Sequence, residues 1–265
     1  MFPVLIKIGP LTIHTYGFLM ALGVLLGLIF IFWQAKKQEL PSNKLADLAF
    51  YAILISLFGA KVFLFFGNFS YYTTYPKEIL SMARSGGVFQ GGLIFGFLFT
   101  LWFLKKNKLP AWKVADIVAP ALALGHSIGR LGCFSAGCCY GRASSLPWGV
   151  TFKSEYAHSL TGIPINFPIH PTQLYEAILN FLNFLVLFVI LKKKKFEGQV
   201  FALYLINYSI IRYFVEFYRG DHSQQAFLIK GLSPYTSLST FQLICIIGFI
   251  FGIFLYRFLK KKKHG

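Results

Sequence analysis

The chain of 265 residues is too apolar for a water-soluble domain, because 56% of its residues are hydrophobic and only 13% are charged, about half the usual charged share. Its formal net charge of +17 would suit a nucleic acid, but the lysines and arginines cluster between apolar runs, as in loops that lie against anionic lipid. The composition therefore excludes a soluble globule, argues against nucleic-acid binding, and makes membrane lipid the expected partner.

Seven apolar segments predict an all-α integral membrane protein of about seven transmembrane helices, because a spanning helix needs roughly 20 apolar residues. Uncharged runs of 20, 19 and 26 residues occur at 16–35, 86–104 and 231–256. The first run has no small-residue cleavage site after it, so we expect it to remain as the first span. In chain order, the predicted helices cover 16–35, 47–67, 87–104, 113–134, 171–191, 199–218 and 240–259.

The segment 135–169, between the fourth and fifth predicted helices, is rich in Gly, Ser, Pro and aromatic residues. It predicts a small external head within a single polytopic membrane domain covering 1–265, and residues 148–152 are typical of a short strand. Basic residues divide unequally between the two sets of loops, with 16 on one side and seven on the other. The positive-inside rule places the richer set in the cytoplasm, so that the N-terminus is external and the C-terminus cytoplasmic.

Ionisable residues inside apolar segments are costly and indicate function. Arg130 and Arg212 each lie roughly 20–25 Å along their helices from the expected cytoplasmic end, and Lys61 lies at a similar height. The first, third and fifth segments begin on the external side with Tyr16, Gln90 and His170 respectively. Polar groups from six spans would thus share one level, which predicts a site in the outer half of the bilayer.

Two arginines at that level predict an anion-binding site. Arg212, Glu216 and Arg219 have the i, i+4, i+7 spacing of one helical face, and a simple Arg212–Glu216 pair is the structural alternative. Arg130 has no acid nearby in sequence, so we expect the two guanidinium groups to hold a phospholipid phosphate. Glycines near this level suggest irregular backbone around a cavity, or otherwise close helix packing; they are Gly86, Gly87, Gly91, Gly92, Gly129, Gly132, Gly137 and Gly141.

Several motifs resemble, in order, those of the prolipoprotein diacylglyceryl transferases. The segment 126–142, His-Ser-Ile-Gly-Arg-Leu-Gly-Cys-Phe-Ser-Ala-Gly-Cys-Cys-Tyr-Gly-Arg, is similar to the signature loop of that family. The supporting motifs are Thr15-Tyr16-Gly17, Arg84-Ser-Gly-Gly-Val-Phe-Gln90-Gly-Gly-Leu, Leu146-Pro-Trp-Gly-Val150, His170-Pro-Thr-Gln-Leu-Tyr-Glu176 and Arg212-Tyr-Phe-Val-Glu216-Phe-Tyr-Arg219.

The resemblance implies a transferase of the bacterial plasma membrane that moves the diacylglyceryl group of phosphatidylglycerol onto the lipobox cysteine of a prolipoprotein signal peptide. It implies neither a cofactor nor a metal, and the three clustered cysteines lack a standard Cys/His ligand spacing. The expected catalytic residues are Tyr16, Gln90, Arg130, His170, Arg212 and Glu216. The expected lipid-binding residues are Gly91, Gly92, Arg130, Cys133, Cys138, Cys139, Gly141, Arg212 and Arg219.

The chain departs from the family pattern at three positions. Gln90 stands where the family has His, Cys133 where it has Asn, and Cys138 where it has an acidic residue. Gln accepts no proton at neutral pH, so we expect the cationic site alone to activate the substrate thiol, whose proton His126, His170 or Glu216 could accept. Two alternatives stay open: a paralogue that uses Cys138 and Cys139 as nucleophiles or a redox pair, and a lipid or anion transporter without chemistry, for which the sequence shows no repeated halves.

Overall fold

The computed structural model describes residues 3–9, 11–82, 87–221, 227–229 and 238–264, and these are mostly helical. Three of the motif residues above, Arg84, Ser85 and Gly86, lie outside these ranges. The helices are α1 (Thr15–Lys37), α2 (Ser42–Gly67), α3 (Phe69–Thr74), α4 (Glu78–Met82), α5 (Phe89–Lys106), α6 (Ala111–Ala136), α7 (Glu155–Thr161), α8 (Thr172–Lys192), α9 (Gln199–Glu216) and α10 (Thr240–His264).

Each of the seven predicted apolar segments forms a helix. By length and composition, α1, α2, α6, α8 and α10 are long and apolar enough to cross a membrane. Helices α5 and α9 have only 18 residues each, and α9 carries the buried Arg212 and Glu216. The chain is therefore a multi-pass α-helical membrane protein, whereas the count of seven spans stays a prediction.

Three small antiparallel sheets accompany the helices. They pair β1 (Val4–Ile8) with β2 (Leu11–His14), β3 (Val150–Thr151) with β4 (Pro168–Ile169), and β5 (Phe227–Ile229) with β6 (Leu238–Ser239). The short strand predicted near Trp148 is confirmed as β3. The hairpin β1–β2 was not predicted, although Gly9 supplies the positive φ of 58° that its turn requires.

The chain divides into two compact parts, Met1–Ile31 with Ala115–Gly265 as the first and Phe32–Val114 as the second. In the second part, α2 packs on α5 through glycines with almost no room for a side chain. A Cβ added at Gly92 would lie 3.0 Å from the Ser56 carbonyl oxygen, and one at Gly59 would lie 2.7 Å from that of Gly91. These contacts favour the close-packing alternative for the glycines of this pair.

The first part has an apolar core of buried side chains from α1, α6, α8 and α9, namely Phe30, Ala119, Ala121, Ala123, Leu187, Leu191 and Val200. The fully buried Asp116 of α6 fixes the start of α9. Its carboxylate accepts hydrogen bonds from the backbone N–H groups of Gly198, Val200 and Phe201 at 2.9–3.1 Å. An anion satisfies the first amides of a helix in this way, so α6 sets the position of the helix that carries Arg212.

The segment 135–169 folds around a small core of its own. Phe152, Ala157, Ile163 and Ile169 are buried together, and α7 begins with a Ser154 side chain that accepts from the Ala157 N–H. Phe152 directly follows β3, Ala157 lies in α7, Ile163 follows that helix, and Ile169 ends the strand β4 that leads into α8. That this segment lies outside the membrane stays a prediction.

Candidate functional site

A chain of alternating cations and anions links three helices of the first part. Arg130 of α6 reaches Glu176 of α8 (Nε–Oε2 2.5 Å), and the other carboxylate oxygen of Glu176 faces Arg212 of α9 (Nε–Oε1 3.6 Å). Arg212 also pairs with Glu216 one turn later (Nη1–Oε2 2.6 Å). Glu176 is 1% exposed, Arg212 9% and Arg130 14%. The cluster is thus buried, with Arg130 as its most accessible member.

Glu176 gives Arg130 a protein carboxylate as partner, although Arg130 has no acid nearby in sequence. The acid comes from α8, which is distant in sequence but adjacent in space to α6 and α9. Its two oxygens reach one arginine each, so the protein itself supplies the anion that holds the two guanidinium groups together. The predicted Arg212–Glu216 pair is present beside it.

Helix α10 completes the environment of Glu216. Ser239, fully buried just before α10, donates a hydrogen bond from Oγ to Glu216 Oε1 at 3.0 Å. The Gln242 backbone N–H donates to the same Ser239 hydroxyl at 3.1 Å. The ring of Phe241 lies 5.4 Å from the Arg212 guanidinium carbon, within the range of a cation–π contact. These contacts fix the Arg212–Glu216 pair from a fourth helix.

His126 lies one turn before Arg130 on α6. Its Nε2 accepts a hydrogen bond from Arg130 Nε at 3.0 Å, which places the proton of the neutral ring on Nδ1. Among the described residues, the polar contacts of Arg130 therefore end on its Nε. Neither terminal nitrogen of this partly exposed guanidinium makes a hydrogen bond within the described part of the chain.

Arg219 does not lie on the helical face that the i+7 spacing predicted. Helix α9 ends at Glu216, and Arg219 instead pairs in an antiparallel bridge with Gly141. Its guanidinium binds Asp221 through two contacts, at 3.0 and 2.5 Å. Burial, the largest single influence, would lower the pKa of Arg219, but the Asp221 carboxylate together with Cys139 and Glu176 raises that pKa above its usual value.

Gly141 is the crowded point where the signature loop meets the end of α9. A Cβ at this position would overlap the backbone of His170, and it would lie 2.6 Å from the His170 Cβ and 2.9 Å from the Tyr218 carbonyl oxygen. The adjoining Arg142 N–H donates to that same Tyr218 oxygen at 2.9 Å. Only glycine fits here without displacing the backbone. Gly141 therefore allows the close approach of the loop to His170 and Tyr218, and it contributes no side chain to the site.

Three cysteines meet just after the end of α6. The Sγ atoms of Cys133, Cys138 and Cys139 all lie within 4.8 Å of one another, and none forms a disulfide. Cys139 has a φ of 57°, a left-handed conformation that turns the chain back on itself. Hydrogen bonds from the Cys133 and Cys138 thiols, with the charges of Arg219 and Arg130, lower the pKa of the Cys139 thiol below its usual range.

The first turn of α8 anchors the same loop. The Thr172 hydroxyl donates to the Cys139 carbonyl oxygen at 2.9 Å, and the Gln173 amide donates to that of Cys138 at 2.8 Å. Glu176, one turn further along α8, holds Arg130. One helix therefore fixes both the thiol cluster and the guanidinium group of α6.

Tyr16 and His170 lie close to the signature loop, the first near Gly132 and the second near Gly141. Tyr16 is 41% exposed at the start of α1 and packs near Gly132, where an added Cβ would lie 3.4 Å from its ring. His170 precedes α8; its Nδ1 lies 3.2 Å from the Tyr175 hydroxyl, and its ring centroid is 5.0 Å from that of Tyr218. Burial lowers the pKa of His170, so its ring stays neutral at neutral pH.

Four of the polar residues and glycines predicted for the site belong to the second compact part. Gln90 is exposed in the first turn of α5, and Gly91 and Gly92 pack against α2. Lys61 of α2 donates from Nζ to the Met82 carbonyl oxygen at 2.7 Å. The predicted roles of Gln90, Gly91 and Gly92 in the site stay predictions.

Comparisons with known proteins agree with the resemblance drawn from the motifs. The family model described as "Prolipoprotein diacylglyceryl transferase" matches residues 3–258. The chain belongs to the prolipoprotein diacylglyceryl transferase family. The resemblance proposed from the sequence is thereby confirmed over nearly the whole chain.

Individual members of the prolipoprotein diacylglyceryl transferase family support the assignment at full length. The chain is 34% identical to the phosphatidylglycerol–prolipoprotein diacylglyceryl transferase of Clostridium tetani, covering 98% of this chain and 99% of the relative. The proteins of the same name from Clostridioides difficile and Bacillus velezensis are 35% and 32% identical, covering 93% and 99% of this chain and 91% and 94% of those relatives. Membership of a transferase family favours an enzyme over the transporter alternative.

Within this prolipoprotein diacylglyceryl transferase family member, the structure gives weight to residues that the sequence-based prediction omits. Glu176 joins two arginines, Ser239 holds Glu216, and Asp221 holds Arg219. A charge inside an apolar segment is itself a signal of function, and Glu176 carries that signal in the fifth segment. No comparable signal marks Ser239, because a serine near a helix start is common.

Proposed function

We propose that the chain transfers the diacylglyceryl group of phosphatidylglycerol to the thiol of a lipobox cysteine in a prolipoprotein signal peptide. The family membership and the names of its relatives support this reaction. The observation in the structure that favours it is the partly exposed Arg130 guanidinium, whose contacts with described residues end on Nε. Its terminal nitrogens have the paired geometry that suits two oxygens of a phosphate.

The reaction needs fixed positive charge where the leaving group forms. The thiolate sulfur of the acceptor attacks the glyceryl CH₂ group bonded to the phosphate oxygen, and a C–S bond forms as the C–O bond breaks. The electron pair remains on the phosphate, so a diester with one negative charge becomes a monoester that carries more. Guanidinium donors held rigidly in a low-dielectric site stabilise that added charge without reorganising.

The ion-pair chain gives the arginines this rigidity. Glu176 and Glu216 restrain Arg212 from two directions, and Glu176 restrains Arg130. In this proposal Arg130 and Arg212 hold the phosphate, and Glu176 positions them. Arg219 and Gly141 support the loop beside the phosphate, and Tyr16 contacts the lipid at the entrance.

A proton must leave the acceptor thiol, and the site offers three acceptors. His126 Nε2 already accepts from Arg130, and Glu216 is held by Arg212 and Ser239. His170 is neutral and lies outside the membrane-spanning helices, so it is the proton acceptor we favour among side chains. Gln90 would orient the substrate by hydrogen bonds, as its amide permits.

The orientation in the membrane forms part of the same proposal. Seven spans, with α5 and α9 added to the five long apolar helices, place the N-terminus outside and the C-terminus in the cytoplasm. The unequal 16 to seven distribution of Lys and Arg supports this topology. The site then lies in the outer half of the bacterial plasma membrane, where the acceptor signal peptide emerges, and 135–169 forms an external head.

Transfer of labelled diacylglyceryl from phosphatidylglycerol to a lipobox peptide by the purified protein tests the function. We expect Arg130→Lys to reduce the rate at least about 100-fold, because an ammonium group lacks the paired donors. Arg257→Lys, near the C-terminal end of α10 and outside the described site, is the matched control and should transfer at the unmodified rate. No transfer by the folded, unmodified protein would refute the proposal.

A further inference from the structure

The three cysteines form a compact group of potential metal ligands beside the arginines. All three Sγ atoms lie within 4.8 Å of one another. Three thiolates bound to one tetrahedral Zn²⁺ at about 2.3 Å each would lie about 3.8 Å apart. Side-chain rotations that shift the sulfur atoms by about 1 Å would therefore bring the three thiols to the spacing that one Zn²⁺ ion requires, without a change in the backbone.

The backbone that carries the thiols is held in place by neighbouring elements. Thr172 and Gln173 of α8 bind the Cys139 and Cys138 carbonyl oxygens, and Cys133 lies in the last turns of α6. The Thr161 hydroxyl of α7 binds the Gly137 carbonyl oxygen at 3.0 Å. Ligands on a restrained backbone lose little conformational entropy when a metal ion binds.

We propose that Cys133, Cys138 and Cys139 bind one Zn²⁺ ion through three thiolates and that its fourth position takes the thiolate of the acceptor cysteine. This inference rests on the proposed transferase function for the identity of the fourth ligand. Three protein ligands with one open position are typical of catalytic zinc sites, whereas closed sites have four. Among the described residues, no fourth His, Cys, Asp or Glu joins the group.

The local charge suits such a site. One Zn²⁺ with three thiolates carries a net charge of −1, and the acceptor thiolate makes it −2. Arg130 is three residues from Cys133 on α6, and both Arg130 and Arg219 interact electrostatically with the Cys139 sulfur. Guanidinium groups near the thiolates favour the negatively charged zinc–thiolate complex. Arg130 is also one of the two arginines proposed to hold the phosphate, so the nucleophile and the leaving group would meet at one cationic surface.

The chemistry balances without an oxidant or a reductant. The acceptor thiol loses its proton to solvent or to a neighbouring base on binding Zn²⁺, since a coordinating thiol is deprotonated outright. The bound sulfur then forms the C–S bond as the C–O bond of the lipid breaks and the electron pair stays on the phosphate. The thioether product is a neutral and weaker ligand than a thiolate, so it leaves the metal.

Cobalt substitution tests the metal site independently of activity. The purified full-length protein in detergent, kept reduced and stripped of metal by a chelator, is titrated with Co²⁺. We expect one Co²⁺ per chain, with sulfur-to-cobalt charge-transfer and tetrahedral d–d absorption. The spectrum should be lost in Cys138→Ser and in Cys139→Ser, each checked for folding by gel filtration and thermal unfolding. Cys245→Ser, in α10 and outside the group, is the matched control and should keep the spectrum.

The fourth position has its own readout. Adding the lipobox peptide should shift the charge-transfer band of the cobalt protein, and the same peptide with Ser in place of Cys should not. Folded protein that binds no Co²⁺ or Zn²⁺, or binding that survives Cys138→Ser and Cys139→Ser, would overturn the metal site. A thiol peptide that leaves the spectrum unchanged would overturn the role of the fourth position.

The transferase assay separates this inference from the function on which it rests. Transfer at an equal rate by the metal-free and the Zn²⁺-loaded protein overturns the zinc role and leaves the transferase function intact. A rate that rises at least about tenfold with Zn²⁺ supports both. Absence of transfer in either form counts against the transferase function, whereas the cobalt spectrum still decides the metal site.

Discussion

Replacing Glu176 by Gln removes the shared anion of the ion-pair chain and leaves the shape of the side chain unchanged. With N–O distances of 2.5 and 3.6 Å to Arg130 and Arg212, the gross Coulomb attraction is about 11 kcal/mol at an effective dielectric constant of about 20. Most of this offsets the cost of burying the carboxylate, which is 1% exposed. Breaking such a buried pair costs a net of about 3–5 kcal/mol, because it leaves Arg130 without its carboxylate partner and leaves Arg212, among the described residues, with Glu216 alone.

Two assays measure the consequence. In thermal unfolding in detergent, we expect Glu176→Gln to lower the Tm by roughly 10 °C, since about 2–4 °C accompanies each kcal/mol for a chain of this size. In the transfer assay, we expect the KM for phosphatidylglycerol to change along with kcat, because the arginines lose their fixed positions. The charge of the site rises by one, so the released phosphate product should inhibit more strongly.

The matched control is Glu155→Gln, which removes a carboxylate of the same size from the exposed first turn of α7. We expect that control to unfold within about 2 °C of the unmodified protein, as surface changes usually do. A Glu176→Gln protein that unfolds at the same temperature as Glu155→Gln, with unchanged kinetics, would refute the reasoning. That result would mean that Glu176 does not fix the positions of Arg130 and Arg212 in the folded protein.

Three further changes probe other parts of the structure. Gly141→Ala should abolish transfer, because its Cβ would overlap the backbone of His170, whereas the helical Gly67→Ala, with nothing within 4 Å of its Cβ, should transfer normally; equal activity of the two would contradict the crowding argument. Asp116→Asn should lower stability by about 2 kcal/mol through the start of α9, measured by thermal unfolding, and an unchanged Tm would count against that capping role. Because burial lowers the pKa of His170, its ring stays unprotonated below pH 6.5, so the rate with His170 as base should persist below that pH and fall only as the pH passes the lowered pKa. A rate that halves at pH 6.5, or a His170→Gln protein with an unchanged pH profile, would remove His170 from the proton transfer.

Local patterns in the sequence sufficed for the helices and for one of the ion pairs, Arg212–Glu216. A run of about 20 apolar residues forms a helix in lipid whatever surrounds it, because every backbone polar group must be satisfied internally. The Arg212–Glu216 pair was equally predictable, since residues four apart share one helical face. Arg130 and His170 were indicated by their depth in the apolar segments, and the resemblance to the family added a role for Gly141 in the site.

Local sequence patterns did not predict the contacts between segments that are distant along the chain. Arg219 has the spacing of the Arg212 face, yet α9 ends at Glu216, because the chain there pairs with the signature loop instead of continuing the helix. The glycines of α5 were expected around a cavity, and they pack on α2 instead. In each case the partner is distant in sequence, so its effect does not appear in the local pattern.

The sequence by itself determined that this is a membrane protein and that its apolar segments are helices, whereas an anion site at the arginines inside those segments stays a prediction. These properties follow from the composition and spacing of neighbouring residues, which act over a few turns of one helix. Only the tertiary structure decided that Glu176 joins Arg130 to Arg212 and that three thiols converge beside them. Those contacts depend on how α6, α8 and α9 pack against one another, and packing is settled by the whole set of side chains at once.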